Sequence, residues 1–152
     1  MSVSDRLAEL GIQLPVPPAP AAAYVPTVQT GNLVFVSGQG PVREGKPVYV
    51  GRLGAEYSLE EGCAAARLAM INCLAQLQAH LGSLDRVQRI VKVLGFVACV
   101  DSFEQQPFVI NGGSELLEQV FGPAGRHARS AVGVNKLPFG IPVEIELVAE
   151  VA

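Results

Sequence analysis

The sequence predicts an α+β domain: a mixed six-stranded sheet with two helices packed on one face, in the order βββ-α-β-α-ββ. Short runs rich in β-branched and aromatic residues lie towards both ends of the chain. One long central stretch repeats apolar residues at three- and four-residue steps, and a second shorter stretch follows a lone strand. Strands outside and helices between are the pattern of a sheet covered on one side. A chain of 152 residues suits one domain. A domain of this size buries about 68–70% of its unfolded surface. The expected single domain is 1–152, with a helix and a proline-rich arm over 1–23.

Ser4 is positioned to cap a short helix over Asp5–Leu10, with Gly11 as its stop. LPVPPAPAAAYVP then forbids a regular helix or a central strand, and reads as an extended arm laid on the surface. Thr30-Gly31-Asn32 is a turn before Leu33–Val36, a strand of buried type that ends at Ser37-Gly38-Gln39-Gly40-Pro41. Pro47–Gly51 reads as the third strand. Ser58-Leu59-Glu60-Glu61 fits a capping box. The helix it opens runs to Leu81 through Cys63, Ala66, Met70, Cys73, Leu74 and Leu77, and Gly82 stops it. Arg86–Val100 reads as a strand. A second helix begins at Asp101-Ser102, with Pro107 near its first turn and Gly122 at its end. Gly112-Gly113 inside it costs about 1 kcal/mol each relative to Ala. Either the helix starts after them or something packs tightly there. His127–Val151 reads as two strands and a turn. No segment repeats at a fixed solenoid period.

Eleven Lys+Arg against 14 Asp+Glu give a net charge of −3, with no Trp and 6% aromatics. Nucleic-acid binding rewards clustered cations and stacking rings, and the chain has neither. Arg86, Arg89 and Lys92 read as a solvated patch at a strand start. Cys63, Cys73 and Cys99 form no CxxC, so they read as free thiols of a reducing compartment and as core residues. The N-terminus carries acids and no apolar run of leader type, and no stretch reaches the ~20 apolar residues of a membrane span. The expectation is a soluble, cytoplasmic protein with no membrane and no nucleic-acid partner. With 49% hydrophobic and 16% charged residues, some apolar surface is expected to serve subunit contacts. His80 and His127 are too few and too unpatterned for a metal site. His80 sits where it favours a helix dipole, and His127 borders the approach to Arg129.

The chemistry lies in HARSAVGVNKLPFGIPVEIELVAEV. If Val143, Ile145 and Leu147 face the helices, Glu144 and Glu146 face away, because successive strand residues point to opposite sides. Such glutamates are ordinarily solvated. On the preceding strand Arg129, Ala131, Gly133 and Asn135 share one face, with only small residues between Arg129 and Asn135. Small residues let a ligand approach closely, and arginine offers a planar fork for a carboxylate. The expectation is that Arg129 and Glu144 share a face, one binding a small carboxylic acid and the other handling protons.

Ala128-Arg129-Ser130-Ala131-Val132, Leu137-Pro138 and Val143-Glu144-Ile145-Glu146 resemble the C-terminal signature of the Rid family, also called the YjgF-like proteins. LVFVSGQGPV over Leu33–Val42 resembles the family's N-terminal SGQ strand. Tyr24 stands where its early tyrosine stands, and Asn111 where a helix asparagine does. The length and N-terminal arm resemble a longer subgroup of about 150 residues. The resemblance implies a chorismate-mutase-like fold and a homotrimer with sheets packed centrally and sites in clefts between subunits. It implies hydrolysis of 2-imino acids, the tautomers of enamines, to 2-keto acids and ammonia, without cofactor or metal. Arg129 would pair with the substrate carboxylate and Glu144 would activate water. Backbone groups around Arg129 and Ala131 would hold the imine nitrogen. Tyr24 and Ser37 would line the pocket, and Asn111 would reach it.

The chain departs from the family at Ala131, where many active relatives carry cysteine, and at Ala22-Ala23, where a glycine-proline is common. Several alternatives stay open. Arg129 and Glu144 or Glu146 could form a structural ion pair, with Glu146 a charge at a trimer interface. Tyr24 could simply cover the arm. Ser37 and Gln39 could simply terminate a strand. At the level of function, the alternatives are a non-catalytic trimer that binds a small carboxylate metabolite, an endoribonuclease, which the acidic balance disfavours, and a chorismate-mutase-type isomerase, which rests on fold analogy alone.

Overall fold

In the computed structural model, which describes residues 1–152, the chain opens with helix α1, Val3–Glu9. Its cap is Ser2 rather than the expected Ser4. Ser2 Oγ accepts from the Asp5 backbone N–H at 3.1 Å, and the Asp5 carboxylate accepts from Ser2 N–H at 3.2 Å. Ser4 has Leu7 three residues on, which cannot return the second bond. Gly11 ends this segment at φ 71°. The proline-rich arm that follows has no helix or strand, and Gln76 Nε2 pins it by donating to Pro18 O at 2.7 Å.

Strand β1, Thr27–Thr30, turns at Gly31-Asn32 into β2, Leu33–Gln39. Then comes a small ribbon of β3, Val42–Arg43, with β4, Lys46–Pro47. The expected third strand over Pro47–Gly51 does not form. Pro47 has no N–H to continue a ladder, and Gly51 sits at φ 144° where the chain bends away. The main sheet therefore has five strands, not six.

Helix α2, Leu59–Leu81, opens on the expected box: Ser58 Oγ accepts from Glu61 N–H and Glu61 Oε1 from Ser58 N–H. Gly82 closes it in the left-handed region at φ 83°. His80 does not serve the helix dipole alone. Its ring nitrogens meet Thr27 Oγ1 at 3.1 Å and Gln29 Oε1 at 2.9 Å, tying the helix end to β1. Strand β5, Val87–Ala98, follows, then helix α3, Gln106–Phe121. This helix starts later than Asp101-Ser102, which form a turn. Pro107 explains the delay: it is tolerated only in a first helical turn, so the helix can begin only beside it. Strands β6, Ala128–Val134, and β7, Val143–Val151, complete the chain.

The sheet order is β1-β2-β7-β5-β6, antiparallel throughout except for β5 and β6, which run parallel and are joined through α3. Both long helices cover one face. Ala66, Met70, Cys73 and Leu77 of α2 and Ile110 and Leu117 of α3 meet Val34, Val93, Ile145 and Leu147 of the sheet in one core. The diglycine lies at the tightest point of that packing. A Cβ on Gly112 would fall 2.1 Å from the Cys63 carbonyl oxygen, and one on Gly113 would fall 3.1 Å from Ile145 Cδ1 and 3.2 Å from Met70 Cε. Close helix–helix contact, not a later helix start, is why both are glycine. Cys73 and Cys99 are buried, whereas Cys63 is only half-buried. The opposite face of the sheet is uncovered in a single chain. Val28, Phe35 and Val132 are 53%, 45% and 42% exposed there. No helix is long and apolar enough to cross a membrane.

Candidate active site

Arg129 points to the helix side of the sheet. Register decides this: Val93 of β5 stands opposite both Arg129 and Leu147, and Val93 is fully buried under the helices. The side chain reaches α3, where Nη1 donates to Asn111 Oδ1 at 2.8 Å and to Ser114 Oγ at 3.1 Å. Both Nη1 protons are thereby used. The guanidinium forms no ion pair, since the one salt bridge of the chain joins Arg126 to Glu118. Ala131 follows on the same face opposite Gly95, where its methyl packs on the core. Because β6 is the last strand of the sheet, its outward backbone groups lack a ladder partner.

Glu144 points to the other side. It stands opposite Phe96, which in turn stands opposite Val132. The β7 pattern is strict: Val143, Ile145, Leu147, Ala149 and Val151 are buried and the residues between them are half-buried. The expectation that Arg129 and Glu144 share a face is therefore overturned. Residues alternate within each strand as expected, but the phase between β6 and β7 comes from their common pairing to β5. The alternative of an ion pair between Arg129 and Glu144 or Glu146 is absent from the chain.

Glu144 sits beneath a bulge in β2. Val36 pairs with Leu147 and Gln39 with Ile145, so Ser37 and Gly38 together oppose Glu146. Gly38 leaves room for the carboxylate: a Cβ there would fall 2.8 Å from Glu144 Cδ. Burial, and secondarily the charge of Glu146, push the Glu144 carboxyl above the ordinary carboxylate range. Ser37 anchors the neighbouring segment, with Oγ donating to Val25 O at 2.7 Å and its N–H to Pro26 O at 2.9 Å. It thus holds Tyr24-Val25-Pro26 against the strand that carries Gly38, and leaves Tyr24 47% exposed. Gln39 is buried rather than a mere strand terminus. Its Nε2 donates to Ser37 O at 3.2 Å, and its Oε1 accepts from Gln76.

The chain thus presents two half-sites. Arg129, Asn111 and Ala131 lie on the helix side, and Ser37 and Glu144 lie about the bulge on the open side, with Tyr24 held nearby. Ser114 and Gly38 were not singled out from sequence. A serine three residues after Asn111 on one helix face was the available signal for the first. A cleft of about 440 Å³ is lined by Arg52, Glu56, Asn135 and Lys136 among others and contains neither half-site. No group of three or more His, Cys, Asp or Glu side chains converges to hold a metal ion.

A family model described as "YjgF/chorismate_mutase-like, putative endoribonuclease" matches residues 4–151. The chain belongs to this YjgF/chorismate mutase-like family. It is 47% identical to Protein TCP17 of Trypanosoma cruzi over 149 residues, covering 97% of this chain and 93% of the relative. A crystal structure from Shewanella oneidensis, described as a "putative endoribonuclease", superposes with a TM-score of 0.97 at 36% identity, covering 99% of this chain and all of that one. TdcF of E. coli, solved with bound serine, superposes at 0.65 with 25% identity, covering 90% and 94% of the two chains. The YjgF-like match spans the residues of both half-sites.

Proposed function

We propose that this YjgF-like protein hydrolyses 2-imino acids, and the enamines in equilibrium with them, to 2-keto acids and ammonia, at a site completed between copies of a homotrimer. The observation that carries the reading is the arginine. Arg129 is a half-buried guanidinium with no carboxylate partner, held by two neutral oxygens through Nη1 alone. Its Nε and Nη2 edge is free to receive a carboxylate in bidentate form. TdcF, a relative solved with serine, takes a ligand carrying such a carboxylate.

Glu144 supplies the other requirement. Its raised affinity for protons brings it towards the range of a general base at neutral pH. The base must come from a second copy, because within one chain it lies across the sheet from Arg129. The exposed Phe35, Val28 and Val132 give the open face an apolar surface suited to such an assembly. Glu144 takes a proton from water as the oxygen bonds to the imine carbon, and the C=N π electrons move to nitrogen. Glu144 returns that proton to the nitrogen, giving the neutral carbinolamine. It then takes the hydroxyl proton and passes it to the nitrogen as the C–N bond breaks, so that ammonia leaves and the C=O forms. Outward backbone groups of β6 near Ala131 hold the nitrogen, and Tyr24 and Ser37 border the substrate. The imine carbon is already electrophilic, so positioning and electrostatics suffice and no cofactor is required. The route uses no thiol, which fits alanine at position 131.

The test generates imino acids in place with an amino-acid oxidase and traps them with semicarbazide. Wild type is expected to lower semicarbazone formation, and Arg129→Ala is expected to leave it unchanged. If wild type leaves trapping unchanged across small and aromatic imino acids, the hydrolase reading is abandoned. The endoribonuclease description of relatives finds little support here in a chain of net charge −3 without clustered cations.

A further inference from the structure

The bonds that hold Arg129 have a direction set at their far end. The Gly125 carbonyl can only accept, so its 2.7 Å contact with His127 Nδ1 requires the proton on Nδ1. A neutral imidazole then carries a lone pair on Nε2, which lies 2.9 Å from Ser114 Oγ, and the hydroxyl donates to it. With its one proton used there, Ser114 turns a lone pair to Arg129 Nη1 at 3.1 Å. The anchor is rigid, because Gly125 lies flush on α3: a Cβ there would fall 2.1 Å from Leu117 O.

We propose that Ser114 and His127 are positioning residues of the carboxylate subsite, orienting the Arg129 guanidinium and coupling it to a titratable imidazole. This rests on the reading of Arg129 given under Proposed function. Burial holds His127 below the ordinary histidine range, and the Arg129 charge acts in the same direction. The Gly125 carbonyl and the charge of Glu118 on α3 oppose this, and Glu118 is itself paired with Arg126 at 3.0 Å. A carboxylate arriving on Arg129 cancels the positive charge that disfavours the imidazolium. Binding therefore raises the His127 titration, and by linkage the carboxylate binds more tightly as pH falls through that titration.

The chain has two histidines, so the imidazole NMR signals are few and His80→Gln assigns them. The probe is pyruvate, a small 2-oxo acid. His127 is expected as the Nδ1–H tautomer, titrating below 6.5 in the free protein and higher with pyruvate bound. Ser114→Ala is expected to weaken pyruvate about tenfold, the usual cost of losing a bond to a charged group, and His127→Ala, which removes the neutral bond that orients Ser114, is expected to weaken it by less. His127→Gln places an uncharged acceptor near the position of Nε2. It should keep the wild-type Kd at high pH and lose the tightening at low pH, which a merely structural role would not predict. An Nε2–H tautomer overturns the proposal. So does a His127 titration that pyruvate leaves unmoved while the Arg129 Nε–H signal shifts, in which case the carboxylate subsite itself stands. If pyruvate moves neither signal, the carboxylate reading fails and the positioning roles fall with it.

Discussion

Arg129 and Glu144 lie on opposite faces of one sheet, both read against β5: Arg129 opposite Val93 on the helix side, Glu144 opposite Phe96 on the open side. No rotamer change brings side chains on opposite faces together. A reaction that needs both must draw them from two copies.

Mixing inactive variants tests this directly. Arg129→Ala and Glu144→Gln are each expected to abolish imine hydrolysis. In the proposed homotrimer, every assembly that carries both variants should regain about one site in three, the one that draws an intact residue from each partner. Co-expression with two affinity tags and an activity assay on the doubly purified protein measures it. No recovery would place the reacting groups elsewhere.

The Glu144 carboxyl is raised first by burial and then by Glu146. The acid limb of kcat/KM should therefore lie above the ordinary carboxylate range, and Glu146→Gln should move it down by removing a like charge. Stability has a matching sign. A carboxyl with a raised folded pKa holds more protons folded than unfolded in the window between its two values, so stability falls as pH rises through it. Glu144→Gln is then expected to raise Tm at neutral pH, with the gain vanishing in acid, as a series of melts would show.

Gly38→Ala separates activity from stability. The new methyl meets Glu144 Cδ at 2.8 Å, a side-chain atom that can move. Tm should change little, while the displaced carboxylate should lower kcat/KM by roughly 10–100-fold. Unchanged kinetics would show that the Glu144 position is not critical.

Gly112→Ala is the stability counterpart. Its methyl would fall 2.1 Å from the backbone oxygen of Cys63, which cannot step aside without moving α2. Overpacking of this kind costs typically about 1–3 kcal/mol, and this site belongs at or beyond the upper end. Gly82→Ala meets nothing within 4 Å and strains only a left-handed cap at φ 83°, worth about 1 kcal/mol. Urea melts of the two variants should rank accordingly.

The sequence by itself determined what depends on near neighbours. Ser58 with Glu61, Gly82 and the 3.6-residue spacing placed α2, because a helix closes its bonds within four residues. Alternation placed Val143, Ile145 and Leu147 inward, and the motif around Arg129 pointed to the family. Ser2, not Ser4, is the first cap for an equally local reason, Asp5 three residues on. Three things only the tertiary structure decided. Pro47–Gly51 had a strand's composition, but of it only Pro47 enters a ladder, opposite Val42 of β3. The diglycine was ambiguous until α2 was seen to press its backbone on Gly112. The faces of Arg129 and Glu144 depend on register between strands that never pair with each other, β6 and β7, each placed through β5. Periodicity fixes which residues of one strand point together. The relative phase of two strands is set by long-range pairing, and a shift of one residue reverses it.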